Sequence, residues 1–151
     1  MSYLLDTGIL IRLVDRKDPL HDIVIRSVKN LLANGQSLFI STQNAAEFYN
    51  VATRPIVANG LGLPPSIAAA ILTSVIEPIC AILVEQLTLY GELKRIVVQY
   101  GVSGKQIHDA RLVAMMLTWN IDKILTLNER DFRRYHSEGI SAVRPETLLL
   151  P

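Results

Sequence analysis

The sequence predicts an α/β protein, a three-layer α/β/α sandwich with a mostly parallel central sheet. Three observations predict it. Short apolar runs alternate along the chain with longer segments whose apolar residues recur at helical spacing. Capping or breaking residues stand at the junctions. Acidic and hydroxyl residues follow several of the apolar runs directly, where the carboxyl ends of parallel strands would lie.

Residues 3–5 form an apolar run ending in Asp6 and read as the first strand. A helix over residues 8–14 follows, with Ile9, Leu10 and Leu13 on one face. Residues 20–33 are a second helix on Ile23, Val24, Val28, Leu31 and Leu32, closed by Asn34-Gly35. Residues 37–40 are the second strand. Thr42 is expected to cap the next helix, which carries Glu47 and Phe48 and ends at Arg54-Pro55. A Gly- and Pro-rich loop leads to a helix that starts at Pro64-Pro65-Ser66 and runs to Ile76. A buried strand is expected over residues 79–84. Residues 88–101 are helical on Leu89, Leu93, Ile96 and Val97, and a further helix runs from Ser103-Gly104 to Asn120. Residues 123–126 are a strand, 128–135 a short helical turn and 140–143 the last strand. Residues 1–151 are expected to be a single domain, with a helical insertion around residues 55–77.

Composition narrows the function classes. The chain of 151 residues has 15 Lys plus Arg, 14 Asp plus Glu and one cysteine, and half of it is apolar. Disorder and a disulfide framework are excluded, and a net charge of +1 argues against a strongly basic coat. A lone Cys80, set among apolar residues, reads as core and fits a reducing compartment. No secretory signal is visible, so a cytoplasmic location is expected. The mean hydropathy of +0.29 is high for a small soluble protein. The stretch 67–84 is the best membrane candidate, but Glu77-Pro78 lies in its middle. A charge and a helix breaker there each cost roughly 2–3 kcal/mol, so no membrane span is expected. The excess is assigned instead to a doubly covered sheet. The helix over 104–120, apolar on two faces, and the helix over 67–76 are expected to bury in part against a second copy or a partner.

The candidate site comes from the strand ends. Asp6 follows the first strand, Glu47 lies about a turn into the helix after the second, and Asn128 and Asp131 follow the strand ending at Thr126. Asp109 sits in the first turns of the helix beginning at Ser103, on a stripe with Leu112, Val113 and Met116, so it points into protein and needs a partner. Taken singly, Asp6 suits helix capping, Glu47 a solvated face and Asp109 a helix N-terminus. Taken together, three carboxylates at one sheet edge repel unless a cation sits between them. Oxygen ligands favour Mg²⁺ or Mn²⁺, ions that assist hydrolysis of phosphate esters.

Four segments then carry a resemblance. They are residues 4–10 (Leu-Leu-Asp-Thr-Gly-Ile-Leu), 40–48 (Ile-Ser-Thr-Gln-Asn-Ala-Ala-Glu-Phe), 108–114 (His-Asp-Ala-Arg-Leu-Val-Ala) and 124–132 (Ile-Leu-Thr-Leu-Asn-Glu-Arg-Asp-Phe). In that order and spacing the chain resembles a PIN-domain ribonuclease, of the VapC-type toxins of toxin–antitoxin pairs. The resemblance implies a PIN-like fold over nearly the whole chain. It also implies Asp6, Glu47 and Asp109 as catalytic residues holding Mg²⁺ or Mn²⁺. The family's fourth acid falls at Asn128, which adds no charge; Asp131 stands nearby, and the number of metals stays open. Gly8 likewise departs from the small polar residue common after the Asp-Thr pair. Thr7, Thr42 and Thr126 are expected to support the carboxylates, and Lys105, Arg111, Arg130, Arg133 and Arg134 to hold an RNA backbone. The implied activity is endonucleolytic hydrolysis of RNA, leaving 5′-phosphate and 3′-hydroxyl ends. A small antitoxin and a second copy of the chain are the implied partners. The alternative is a non-catalytic PIN-fold domain binding RNA or a protein partner, favoured by Asn128. A receiver-like signalling domain fits poorly, since it needs an acidic pair where only Asp6 stands.

Overall fold

The alternating pattern of the sequence becomes a middle layer of five parallel strands in the computed structural model, which describes residues 1–149. The strands are β1 (Ser2–Leu5), β2 (Ser37–Ser41), β3 (Ala81–Leu83), β4 (Lys123–Leu125) and β5 (Ser141–Val143). Their spatial order is β3-β2-β1-β4-β5. Register follows Leu4 opposite Phe39 on one side and Ile124 on the other. The chain first builds outward from β1 through β2 to β3, then returns to β1's other side with β4. The order therefore reverses at β1, where open parallel sheets hold their sites.

Helices cover both faces. Tyr3 and Leu5 of β1 join Leu38, Ile40 and Leu125 in one core, under α1 (Thr7–Val14), α2 (His21–Ala33), α3 (Thr42–Thr53) and α4 (Pro65–Ile71). Leu4, between them in sequence, points the other way. It joins Leu83 and Ile124 under α5 (Leu89–Gln99), α6 (Gln106–Thr118) and Phe132 of α7 (Glu129–Phe132). Both neighbours in β1 are thus buried, as expected of a strand inside a doubly covered parallel sheet. Among the described residues no helix is long and apolar enough to cross a membrane.

Four expectations need correction. Thr42 does not cap α3. Ser41 does, accepting from the Asn44 N–H at 3.2 Å while the Asn44 side chain accepts from the Ser41 N–H at 2.9 Å. This reciprocal pair leaves Thr42 as an exposed first helical residue. The helix expected to reach Ile76 keeps α-geometry only to Ile71, and residues Leu72–Ile76 widen into a π turn before Pro78. The strand expected to be buried over 79–84 is the three-residue sheet edge β3, with Ile82 45% exposed and only Leu83 buried. It pairs with β2 alone, so its other flank has no strand to meet. Finally, α6 needs no second copy for its cover. Ala110, Leu112, Val113, Ala114, Met115 and Met116 are all buried within the chain, because α5 packs beside α6 and closes the face the sheet does not. The helical segment after α3 is different: Ile56, Val57 and Ile67 remain exposed.

Candidate functional site

The loop after β1 begins with Asp6, which caps α1 and stands at the switch point. Its Oδ1 accepts the Thr7 N–H at 2.8 Å and its Oδ2 accepts the Thr126 hydroxyl at 2.6 Å. Thr126 follows β4, so this bond ties the two strand ends flanking the switch. Capping, one of the two roles the sequence offers Asp6, is thus met at the switch point itself. Thr7 donates its hydroxyl to Glu47 Oε2 at 2.6 Å and accepts from Asn44 Nδ2 at 3.3 Å. Glu47 Oε1 accepts from Gln43 Nε2 at 2.9 Å. Glu47 is therefore held at both oxygens and is not a freely solvated helix face.

Asp109 lies in the first turn of α6, half-buried, and no hydrogen bond reaches its carboxylate from the described residues. Burial raises its pKa from 3.8 to about 6, and repulsion from Asp6, Asp131 and Glu47 adds to the rise. His108 opposes it weakly. Asp6 is raised too: burial dominates, Thr126 and Thr7 pull against it, and Glu47 and Asp131 push with it. Asp131, on α7, thus acts electrostatically on both buried acids. Asn128 is exposed and meets the frame through its backbone, donating its N–H to the Thr126 hydroxyl at 3.0 Å. Asp131, within the helix, is a further acid that repels Asp6 and Asp109, whereas the residue two beyond Thr126 carries no charge.

The supporting residues divide. Thr7 and Thr126 each bond a carboxylate, whereas Thr42 is exposed with no such bond among the described residues. On α3 Gln43 bonds Glu47 directly, while Asn44, locked to the capping Ser41, supports it through the Thr7 hydroxyl. The sequence signals for them were the Ser41-x-x-Asn44 capping pattern and the one-turn spacing of Gln43 and Glu47.

The basic residues also divide. Lys105, Arg130 and Arg134 are exposed and form no ion pair among the described residues. Arg133 is paired with Glu129 at 2.7 Å. Arg111 is bound to Glu85 and to Gln43 Oε1. Arg144, not singled out in the sequence, donates to the Leu127 carbonyl at 3.0 Å and so braces the loop bearing Asn128. Asn128, Arg130, Asp131, Arg133 and Arg144 line an open cavity of about 410 Å³ that Asp6, Glu47 and Asp109 do not line.

An open parallel sheet with carboxylates gathered at its switch point defines an acidic-site α/β protein. The chain belongs to the PIN domain family, whose profile matches residues 3–137. Solved structures share its fold. VapBC-1 from nontypeable Haemophilus influenzae is 19% identical with a TM-score of 0.68, over 96% of this chain and 98% of that one. VapBC2 from Rickettsia felis, bound to a DNA fragment from its promoter, is 16% identical with a TM-score of 0.62, over 95% and 98%. FitAcB from Neisseria gonorrhoeae is 17% identical with a TM-score of 0.63, over 96% and 98%. Among curated protein sequences none matches this chain.

Proposed function

We propose that this chain is a metal-dependent endoribonuclease and the toxin of a toxin–antitoxin pair. The observation that carries the reading is the gathering of Asp6, Glu47, Asp109 and Asp131, whose mutual repulsion adds to burial in raising the pKa of Asp109 to about 6. Among the described residues no Lys or Arg forms an ion pair with any of the four. An uncompensated group of carboxylates fits a divalent ion of oxygen preference, Mg²⁺ or Mn²⁺. Among those residues no three acidic, histidine or cysteine side chains stand close enough together, as placed, to hold a metal ion, so an ion would have to draw its ligands inward. Asp6, Asp109 and Glu47 would hold the ion, with Asp131 a further acid that acts on two of them. The ion supplies Lewis acidity toward a phosphoryl oxygen and a more acidic water.

The chain's own residues do the rest. Thr126 and the Thr7 N–H fix Asp6, and Thr7 with Gln43 fixes Glu47, so neither carboxylate needs to reorder when substrate arrives. Asp109 accepts no hydrogen bond from the described residues, so its carboxylate is open to an ion, and a cation there would relieve the burial and repulsion that raise its pKa. We assign Arg130, Arg134 and Lys105, exposed and without an ion pair among the described residues, to the backbone of a single-stranded or looped RNA. The VapBC and FitAB assemblies that share the fold support a small antitoxin as partner. The exposed apolar side chains Ile56, Val57 and Ile67 are the surface we assign to that partner or to a second copy of the chain.

RNA cleavage in Mg²⁺ tests the reading. Asp6→Asn is expected to lose activity, and an Asp6→Asn protein that cleaves as well as wild type would falsify it.

A further inference from the structure

We infer that Gln43 is a positioning residue that presets Glu47 for cation capture and couples it to the helix bearing Asp109. The inference rests on the metal-nuclease reading above. Gln43 is 6% exposed, on the first turn of α3, one turn before Glu47. Its amide nitrogen donates to Glu47 Oε1 at 2.9 Å and to the His108 carbonyl at 2.8 Å. Its amide oxygen accepts from Arg111 Nη1 at 3.2 Å. Both N–H donors are therefore used. The amide has only one workable orientation, because the reverse would set its oxygen against a carboxylate and a carbonyl and its N–H groups against a guanidinium.

The consequence lies in where these partners belong. Glu47 is on α3, His108 is the residue before Asp109 on α6, and Arg111 is two residues after it. One amide thus links α3 to the first turns of α6 and fixes the approach of two acids carried by different helices. It holds Glu47 without a charge, so the carboxylate keeps its full attraction for a cation. Thr7 takes the other oxygen of Glu47, at 2.6 Å, and the two donors together leave the carboxylate no free rotation. Arg111, gripped in turn by Glu85 beyond β3, holds the amide oxygen from the rim. Groups that orient a metal ligand from behind in this way are worth about 10- to 100-fold in metal affinity when removed.

The test is the Mn²⁺ affinity of the purified chain, measured by calorimetry, alongside its melting temperature. Gln43→Met fills the same space without the donors. It is expected to weaken Mn²⁺ binding by about 10-fold or more, and to have no further effect in a Glu47→Gln background. Equal Mn²⁺ affinity for wild type and Gln43→Met overturns the role of Gln43 and leaves the metal reading standing, as does an unchanged loss in the Glu47→Gln background. Wild-type protein that binds no Mn²⁺ overturns the metal reading and this inference with it. A second measurement needs no core substitution. In wild-type protein the Gln43 side-chain amide NMR signals are expected to shift on Mg²⁺ titration with the midpoint of ion binding. Signals that stay fixed through saturation overturn the coupling.

Discussion

Asp109→Asn is expected to make the metal-free protein more stable at neutral pH while removing a group the proposed activity needs. The carboxyl's pKa stands at about 6 in the fold, against an ordinary value of 3.8. A carboxyl raised in this way costs stability when ionised. The cost is absent below about pH 4, grows as pH rises, and is complete above about pH 6. A gap of about two pH units at about 1.4 kcal/mol each gives about 3 kcal/mol. Asp109 is only half-buried, so solvent screening halves this to about 1.5 kcal/mol. The Asn side chain is the same size and, because the native carboxylate accepts no hydrogen bond from the described residues, it breaks none. A domain of this length moves about 2–4 °C per kcal/mol, so the variant should melt about 3–6 °C higher at pH 7.5. Thermal melts in EDTA at pH 7.5 and pH 4 check both parts, with the difference shrinking toward zero at the lower pH. A variant that melts at or below wild type at pH 7.5 refutes the reasoning, as does a difference that is the same at both pH values.

Two further substitutions separate the site's electrostatics from its scaffold. Asp131→Asn should lower the pKa of Asp109, because Asp131 repels it, and carbon-detected NMR of the Asp109 carboxyl reads the change; an unmoved titration midpoint contradicts that repulsion. Ser41→Ala removes the cap of α3 and one partner of the buried Asn44 side chain, and should cost about 1–2 kcal/mol, seen as a lower denaturation midpoint with an unchanged slope. Thr42→Ala, the residue the sequence put at that position, should leave the midpoint within about 0.5 kcal/mol of wild type.

Order and type of the elements were legible because they rest on local pattern. Alternation of apolar runs with helical spacing is enough to place five strands and the helices between them, and for the same reason Asp6 falls at a strand end, Asp109 in a first helical turn and Glu47 in a second. What failed depended on distant partners or on a choice between neighbours. Ser41 and Thr42 are adjacent hydroxyl residues, both good caps, and only Asn44 three residues after Ser41 decides between them. An apolar run over 79–84 looks the same whether its strand is central or at an edge, and β3 is an edge because of the sheet order. The double apolar face of α6 marked burial correctly, but the cover is α5 in the same chain. Gln43 was passed over because two of its partners, His108 and Arg111, lie 65 and 68 positions away.

The near-neutral net charge of +1 conceals how the charges are used. Most arginines in ion pairs bind acids away from the cluster: Arg12 with Asp18, Arg95 with Glu92 and Glu138, Arg133 with Glu129, Arg144 with Glu146. The acids of the site are served by Thr7, Thr126 and Gln43, which are neutral donors. The difference has a physical logic. A guanidinium against Glu47 would orient it and also cancel its charge, and a divalent ion would then have to displace the guanidinium. A hydroxyl or an amide orients the carboxylate and leaves the charge available. The cost is visible in the raised pKa values of Asp6 and Asp109, which come first from burial and then from mutual repulsion, and both are penalties that an added cation would offset. The one arginine that approaches, Arg111, does so through Gln43 and spends its charge on Glu85 at the rim. Unpaired acids at the switch point and ion pairing elsewhere are therefore two sides of one arrangement, in which stability is given up where the proposed cation would bind.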